Sequence, residues 1–275
     1  MWTFRPRDQA DMWLRDFLPQ DLPNCRVLLY GYKSTVPRSN DTAQAHDFAD
    51  TLRNLLLTFR SATNTRDRPV IFIGHSLGGI IIKQLLHQIE GTPDAEMLYR
   101  ACRGFLFFGV PNLGLNNEKL ELMTENQPNK PLISSLLVEQ DGQPSSYLNL
   151  LDDTFARALR RLPIMPEVIA FYETIRTRMT GVSGHAMLFL RILVLKKAVQ
   201  QDEAGRWVRH KGEPVLMVPQ QSANLPLLGC TAERLDGADH SNLVKFTDRK
   251  GNYEIVLGKL LSMMEKIVSS KQQAE

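Results

Sequence analysis

Apolar residues recur along this chain with two different periods, and the switching between them predicts most of its elements. "ADMWLRDFLP" sets Trp13, Leu14, Phe17 and Leu18 on one helical face, which Pro19 is expected to end. "RVLLYGY" (Arg26 to Tyr32) is a short apolar run closed by glycine and reads as a buried strand. "SND" then offers helix caps, and Ala45, Phe48, Ala49, Leu52, Leu55, Leu56 and Phe59 keep a helical period. "RPVIFIGH" is the next strand, Ile82, Leu85, Leu86 and Ile89 form the stripe of the next helix, and "RGFLFFGVP" is a third strand. Strand, helix, strand, helix, strand at this spacing predicts an α/β fold. Its mostly parallel, doubly wound sheet carries helices on both faces and right-handed crossovers.

After Pro111 the pattern loosens into mixed loops and short helices, of which "LNLLDDTFARALRRLP" is the clearest. "EVIAFYE" (Glu167 to Glu173) reads as a fourth strand and "PVLMVP" (Pro214 to Pro219) as a fifth. Tyr253, Val256, Leu257, Leu260, Met264, Ile267 and Val268 mark a final amphipathic helix. With neither repeats nor low-complexity linkers, residues 1–275 read as one domain. It carries two insertions, a lid-like one at about 112–165 and a second at about 176–212.

Composition narrows the class. A formal charge of +3, without a dense Lys/Arg block, excludes nucleic acid as the expected partner. Cys25, Cys102 and Cys230 are odd in number and far apart, which fits a reducing compartment better than a disulfide framework. The histidines make no metal-ligand spacing with Cys, Asp or Glu, and there is no phosphate loop, so neither metal nor cofactor is expected. The start is too charged for a secretory signal. "AMLFLRILVL" is broken by Arg191 and falls short of the ~20 residues of a membrane helix. The expected protein is soluble and intracellular.

The chemistry centres on Gly74-His75-Ser76-Leu77-Gly78, a G-x-S-x-G pentapeptide after a strand and at the opening of a helix. A serine on such a sharp turn is strained, and its flanking glycines let strand and helix pass closely. Its hydroxyl then stands beside helix N-terminal amides that bind an anion. A glycine-rich turn also occurs without chemistry, with serine as a cap; the strand before, the helix after and Gly79 favour a nucleophile.

A serine needs a base, and in this arrangement the partners follow in the order serine, acid, histidine. His240, in the loop-like "LDGADHSNL", has the right place; His46, His185 and His210 read as loop residues, His75 as packing and His87 as helix surface. The acid is expected after the strand before the last, which places Glu173 best. Asp236 and Asp239 are near His240 in sequence but in a solvated loop, and Glu213 stands at the wrong end of its strand.

Taken together, "FIGHSLGG", "GFLFFGVPNLG", "FYET", "VPQQSANL" and "GADHSNLVKF" resemble the α/β-hydrolase domains of the serine active site-containing protein family. These are lipase-like relatives of the GPI inositol-deacylases, also found at the front of fungal NACHT and NB-ARC receptor proteins. "WLRDFLP" followed by "RVLLYGYKS" fits as well, so the likeness runs from about Met12 to Lys259. The resemblance implies a serine hydrolase with Ser76, Glu173 and His240 at the triad positions, and mitochondrial or endoplasmic-reticulum association.

Three departures stand out. The family's first strand, ending in His-Gly, has no counterpart, and with it goes the second oxyanion donor, leaving the Leu77 N–H. That strand normally lies between "RVLLYGY" and "VIFIGH". The chain is therefore expected either to pair those two directly, which would bring the Tyr32 N–H toward Ser76 as a substitute donor, or to be poorly stable. Residues 180–200 match nothing in the family and read as an insertion. "VPN" at Val110 to Asn112 replaces the usual Thr-Pro-His turn.

The sequence thus points to an esterase or lipase-like serine hydrolase acting on a small ester or a lipid, with contact to a membrane surface. The rival is a catalytically weak, hydrolase-like binding module. Geometry separates them: the enzyme requires His240 at about 2.6–3.2 Å from both partners, whereas a binding module tolerates a His240 loop turned away.

Overall fold

The computed structural model describes residues 12–32, 41–115, 128–177, 199–201, 207–209 and 215–272. The pattern-derived expectations around residues 39–40, 116–127 and 180–198 lie outside the described residues. Strand β1 (Val70–His75) leads through helix α4 (Leu77–Ile89) and α5 (Glu96–Ala101) into β2 (Cys102–Phe108). Helix α7 (Ser146–Arg161) returns the chain to β3 (Glu167–Glu173), and β6 (Glu233–Leu235) completes a four-stranded sheet in the order β1-β2-β3-β6. All three pairings are parallel. This is the α/β architecture expected from the alternating strand and helix patterns.

Two cores sit on the two faces of the sheet. On one, Phe72, Phe105 and Phe107 meet α3 (Ala45–Ala62), α4 and α7. On the other, Leu106, Phe108, Ile169 and Phe171 meet α9 (Asn252–Gln272) and the N-terminal helices α1 (Trp13–Asp16) and α2 (Leu18–Asp21). Strand β2 reads as an unbroken apolar run because both of its faces are covered, and Phe105 to Phe108 are completely buried. Trp13, Phe246 and Tyr253 pack ring against ring, and the Trp13 Nε1–H donates to the Val244 carbonyl at 3.0 Å. Among the described residues no helix is long and apolar enough to cross a membrane.

Several expectations need correction. Pro19 does not end a helix; it stands in the first turn of α2, where its missing N–H costs nothing. Helix α3 is capped not by "SND" but by Gln44, whose backbone N–H donates to the Asp47 carboxylate at 2.8 Å. The described part of "PVLMVP", residues 215–219, forms no strand: Val215 makes one bridge to Thr177, and the Met217 and Val218 amides turn to the Glu173 carboxylate instead. The strand that follows β3 in the sheet is Glu233–Leu235, too short and too polar for the hydrophobic pattern to reveal. Of the stretch expected to be lid-like, Ser146–Arg161 is a core helix, with Leu148, Leu151, Phe155 and Leu159 buried. In the second expected insertion, β4 (Val199–Gln201) and β5 (Trp207–Arg209) pair antiparallel.

The largest correction concerns "RVLLYGY". Residues 25–32 are not a strand, and among the described residues nothing pairs with β1 on the side away from β2. The direct pairing of the two segments therefore does not occur, and the argument for the Tyr32 N–H as a donor falls with it. The segment lies on the fold through Val27, Tyr30 and Tyr32, while Leu28 and Leu29 are 51% and 54% exposed. Side-chain packing rather than a backbone ladder fixes its course.

Helices α4 and α7 are locked by a buried ion pair. Lys83 Nζ donates to Asp152 Oδ1 and also stands 5.6 Å from the centre of the Phe155 ring. Removing one partner strands the other charge. Asp152→Ala should therefore lower the unfolding free energy by about 3–5 kcal/mol in chemical denaturation, whereas Lys83→Met combined with Asp152→Leu should recover most of that loss.

Candidate functional site

The site is built where β1 runs into α4. Ser76 occupies that turn at φ 52° and ψ −127°, a positive-φ conformation outside the usual ranges for an L-residue. Its N–H donates to the Phe108 carbonyl at 3.0 Å, and its own carbonyl accepts from Gly79 N at 3.0 Å, so neighbouring strand and new helix both hold it. The glycines are needed for a steric reason. A Cβ on Gly74 would lie 2.7 Å from the Gly79 Cα, and one on Gly79 would lie 2.2 Å from Val110 Cγ2. Leu77 and Gly78 open the helix, and among the described residues neither backbone N–H meets an acceptor. Two amides are thus left free at the turn where an anion would be bound.

His240 lies in the loop after β6, and its imidazole reaches the serine: Nε2 is 3.0 Å from Ser76 Oγ. Nδ1 is 2.6 Å from Oε2 of Glu173, the last residue of β3, which is wholly buried. The other carboxylate oxygen of Glu173 accepts from the Met217 N–H at 2.6 Å and the Val218 N–H at 3.1 Å. A buried carboxylate so engaged on both oxygens has its orientation fixed. Nδ1 must carry a hydrogen to meet an ionised acid, which leaves Nε2 as the acceptor for the serine hydroxyl. The structure brings Ser76, His240 and Glu173 into contact and leaves Asp236 and Asp239 in the exposed or half-buried loop.

Two supports were not visible in the sequence. Thr177, fully buried, accepts the His240 N–H on its hydroxyl at 3.2 Å, while its backbone bridges to Val215. The Met217 and Val218 contributions come from backbone amides, which carry no residue signature. His75, read as a packing residue, has a further task. Its Nε2 is 2.8 Å from the His240 carbonyl, an acceptor only, so Nε2 carries the hydrogen. Its ring stacks obliquely 4.9 Å from that of His240. Burial, reinforced by His240, pushes its pKa down to about 3.

A cleft of about 220 Å³ lined by Arg103, Pro166, Glu167 and Met263 lies elsewhere. Arg103 and Glu167 stand at the opening ends of their strands, whereas Ser76 and Glu173 stand at or beyond the closing ends.

No family model matches the chain. It is similar to protein SERAC1 of Bos taurus, 26% identical over 167 residues, which is 60% of this chain and 24% of that protein. The SERAC1 of Mus musculus is 28% identical over 164 residues, 59% of this chain and 24% of its own length. For Danio rerio the values are 26% over 174 residues, 62% and 25%. The chain spans about a quarter of the length of these curated relatives. A solved structure, the mature form of the lipase BlEst2 of Bacillus licheniformis, matches 74% of this chain and 69% of its own, with TM-score 0.39 and 18% identity.

The neutral His75 gives a pH signature. An imidazole whose pKa falls on folding stabilises the fold fully above its ordinary value of 6.5 and loses that contribution as pH falls from there toward about 3. Denaturation between about pH 7 and about pH 5 should show a stability loss of up to about 1.4 kcal/mol per unit below the upper value, and His75→Asn should flatten that slope.

Proposed function

We propose that the protein is a serine hydrolase that cleaves an ester or acyl-lipid bond through a Ser-His-Glu triad. One observation carries this reading: His240 stands 3.0 Å from Ser76 Oγ through one ring nitrogen and 2.6 Å from Glu173 through the other. Both lie within or close to the contact range that proton transfer needs. A module that only binds would tolerate this loop in any position, and the short contacts speak against that rival.

Ser76 Oγ attacks the substrate carbonyl while its proton passes to His240 Nε2. Glu173 accepts from Nδ1–H throughout and stabilises the imidazolium that forms. The carbonyl oxygen becomes an oxyanion beside the Leu77 N–H. When the intermediate collapses, the ester carbon–oxygen bond breaks and Nε2 returns the proton to the leaving alcohol. Water then gives a proton to the same nitrogen and attacks the acyl-Ser76 carbonyl; the bond from the acyl carbon to Oγ breaks, Nε2 returns the proton to Ser76 Oγ, and the acid leaves. The resemblance to lipase-like domains favours acyl lipids over peptides as substrates.

A fluorophosphonate probe should label the folded wild type and not Ser76→Ala, and short-chain and long-chain aryl esters should be hydrolysed only by the former. Glu173→Gln keeps the shape and removes the charge, so kcat should fall by about 10⁴. Absence of labelling in a protein shown to be folded would overturn the proposal.

A further inference from the structure

Tyr32 ends the segment that does not become a strand, and its side chain turns toward the site. Its ring lies 5.1 Å from that of Phe48 on α3 and 5.7 Å from that of Tyr30. Tyr30 is itself tied down by its hydroxyl, which donates to the Phe48 carbonyl at 2.8 Å. The Tyr32 ring is thus held on one side of the turn that carries Ser76. Its Oη stands 3.6 Å from the point where a Cβ on Gly78 would be. Gly78 is the second residue of α4, next to Leu77 and two after the serine. Gly78 has no side chain, so nothing separates the phenol from that first turn.

Three hydrogen-bond donors therefore gather there: the Leu77 and Gly78 amides and the phenol. Among the described residues none of the three meets an acceptor. Donors left open together beside a nucleophile have a use when negative charge develops.

We infer that the Tyr32 hydroxyl is the second donor to the oxyanion, sharing the developing charge with the Leu77 N–H; this rests on the serine-hydrolase reading. The phenol, not the backbone N–H, supplies the hydrogen. Burial of the ring, with Tyr30 beside it, drives the phenol's pKa upward, so it remains a neutral donor at any working pH.

The test compares wild type with Tyr32→Phe, which deletes one oxygen and keeps the ring packing, on p-nitrophenyl acetate and on the fluorophosphonate probe. The expected result is a fall in kcat of about 10²–10³ with KM little changed, and a matching slowing of phosphonylation, because the bond forms only in the transition state. Tyr30→Phe, whose hydroxyl is engaged with Phe48, should leave kcat within about threefold of wild type. Should Tyr32→Phe fail to fold, 3-fluorotyrosine at position 32 keeps hydroxyl and packing, and must retain turnover within about tenfold of wild type.

Unchanged kcat in a folded Tyr32→Phe, alongside wild-type activity lost in Ser76→Ala, would overturn the donor role and leave the hydrolase standing. A raised KM at constant kcat would overturn it too, since the hydroxyl would then bind substrate and not the transition state. A folded wild type with no Ser76-dependent turnover would overturn both readings.

Discussion

The conformation of Ser76 is the constraint to which the surrounding structure is fitted. A non-glycine residue at φ 52° and ψ −127° costs on the order of 1–3 kcal/mol, and it persists only where its neighbours leave no alternative. Here they leave none. The strand before it is paired along its length with β2, and that pairing continues past the strand end through Ser76 N–H to the Phe108 carbonyl. The helix after it is buried along most of its length, with Ile80, Ile81, Leu85, Leu86 and Ile89 almost wholly covered. Hydrophobic burial of that order offsets the strain several times over. Gly74, Gly79 and Val110 then set how closely strand and helix pass.

The contact chain of Ser76, His240 and Glu173 inherits its precision from the sheet. Ser76 follows β1, Glu173 ends β3, and His240 enters from the loop beyond β6, so three parallel strands deliver their closing ends to one place. The His240 loop is fastened from several directions: the Thr177 hydroxyl holds its backbone N–H, His75 holds its carbonyl, and Leu243 and Phe246 are buried beneath it. Trp13 adds a bond to the Val244 carbonyl. Much of what orients the imidazole is thus backbone contact made by residues without chemistry of their own.

The elements legible in the sequence were those in which burial leaves a clear period. The apolar runs of β1, β2 and β3 and the stripes of α3, α4 and α9 each mark one side of a core. The candidate site residues were legible for a different reason: the glycine spacing around Ser76 reflects the close passage of strand and helix, and the chain order of Glu173 and His240 follows the order of the strands that carry them. "RVLLYGY" was misread because an apolar run says that something is buried, not that a neighbouring strand is there to pair with it. "PVLMVP" misled in the same way, since its amides serve a carboxylate. Glu233–Leu235 was invisible because a three-residue strand with one buried side chain has no period to detect. Thr177 became informative only once the fold set it against His240.

The bridge between Thr177 and Val215 has a wider meaning for how this scaffold can vary. Its two backbone bonds, at 2.8 and 3.1 Å, close the base of everything between those residues. On the near side of the closure stands Glu173, and on the far side the two amides that hold it. The carboxylate is therefore positioned by the neck of a loop and not by the loop itself. Doubling the length of a flexible closed loop costs only about 0.6 kcal/mol of closure entropy. A change in the length of the intervening sequence therefore acts outside the bridge, while the acid stays where the neck and the two amides hold it.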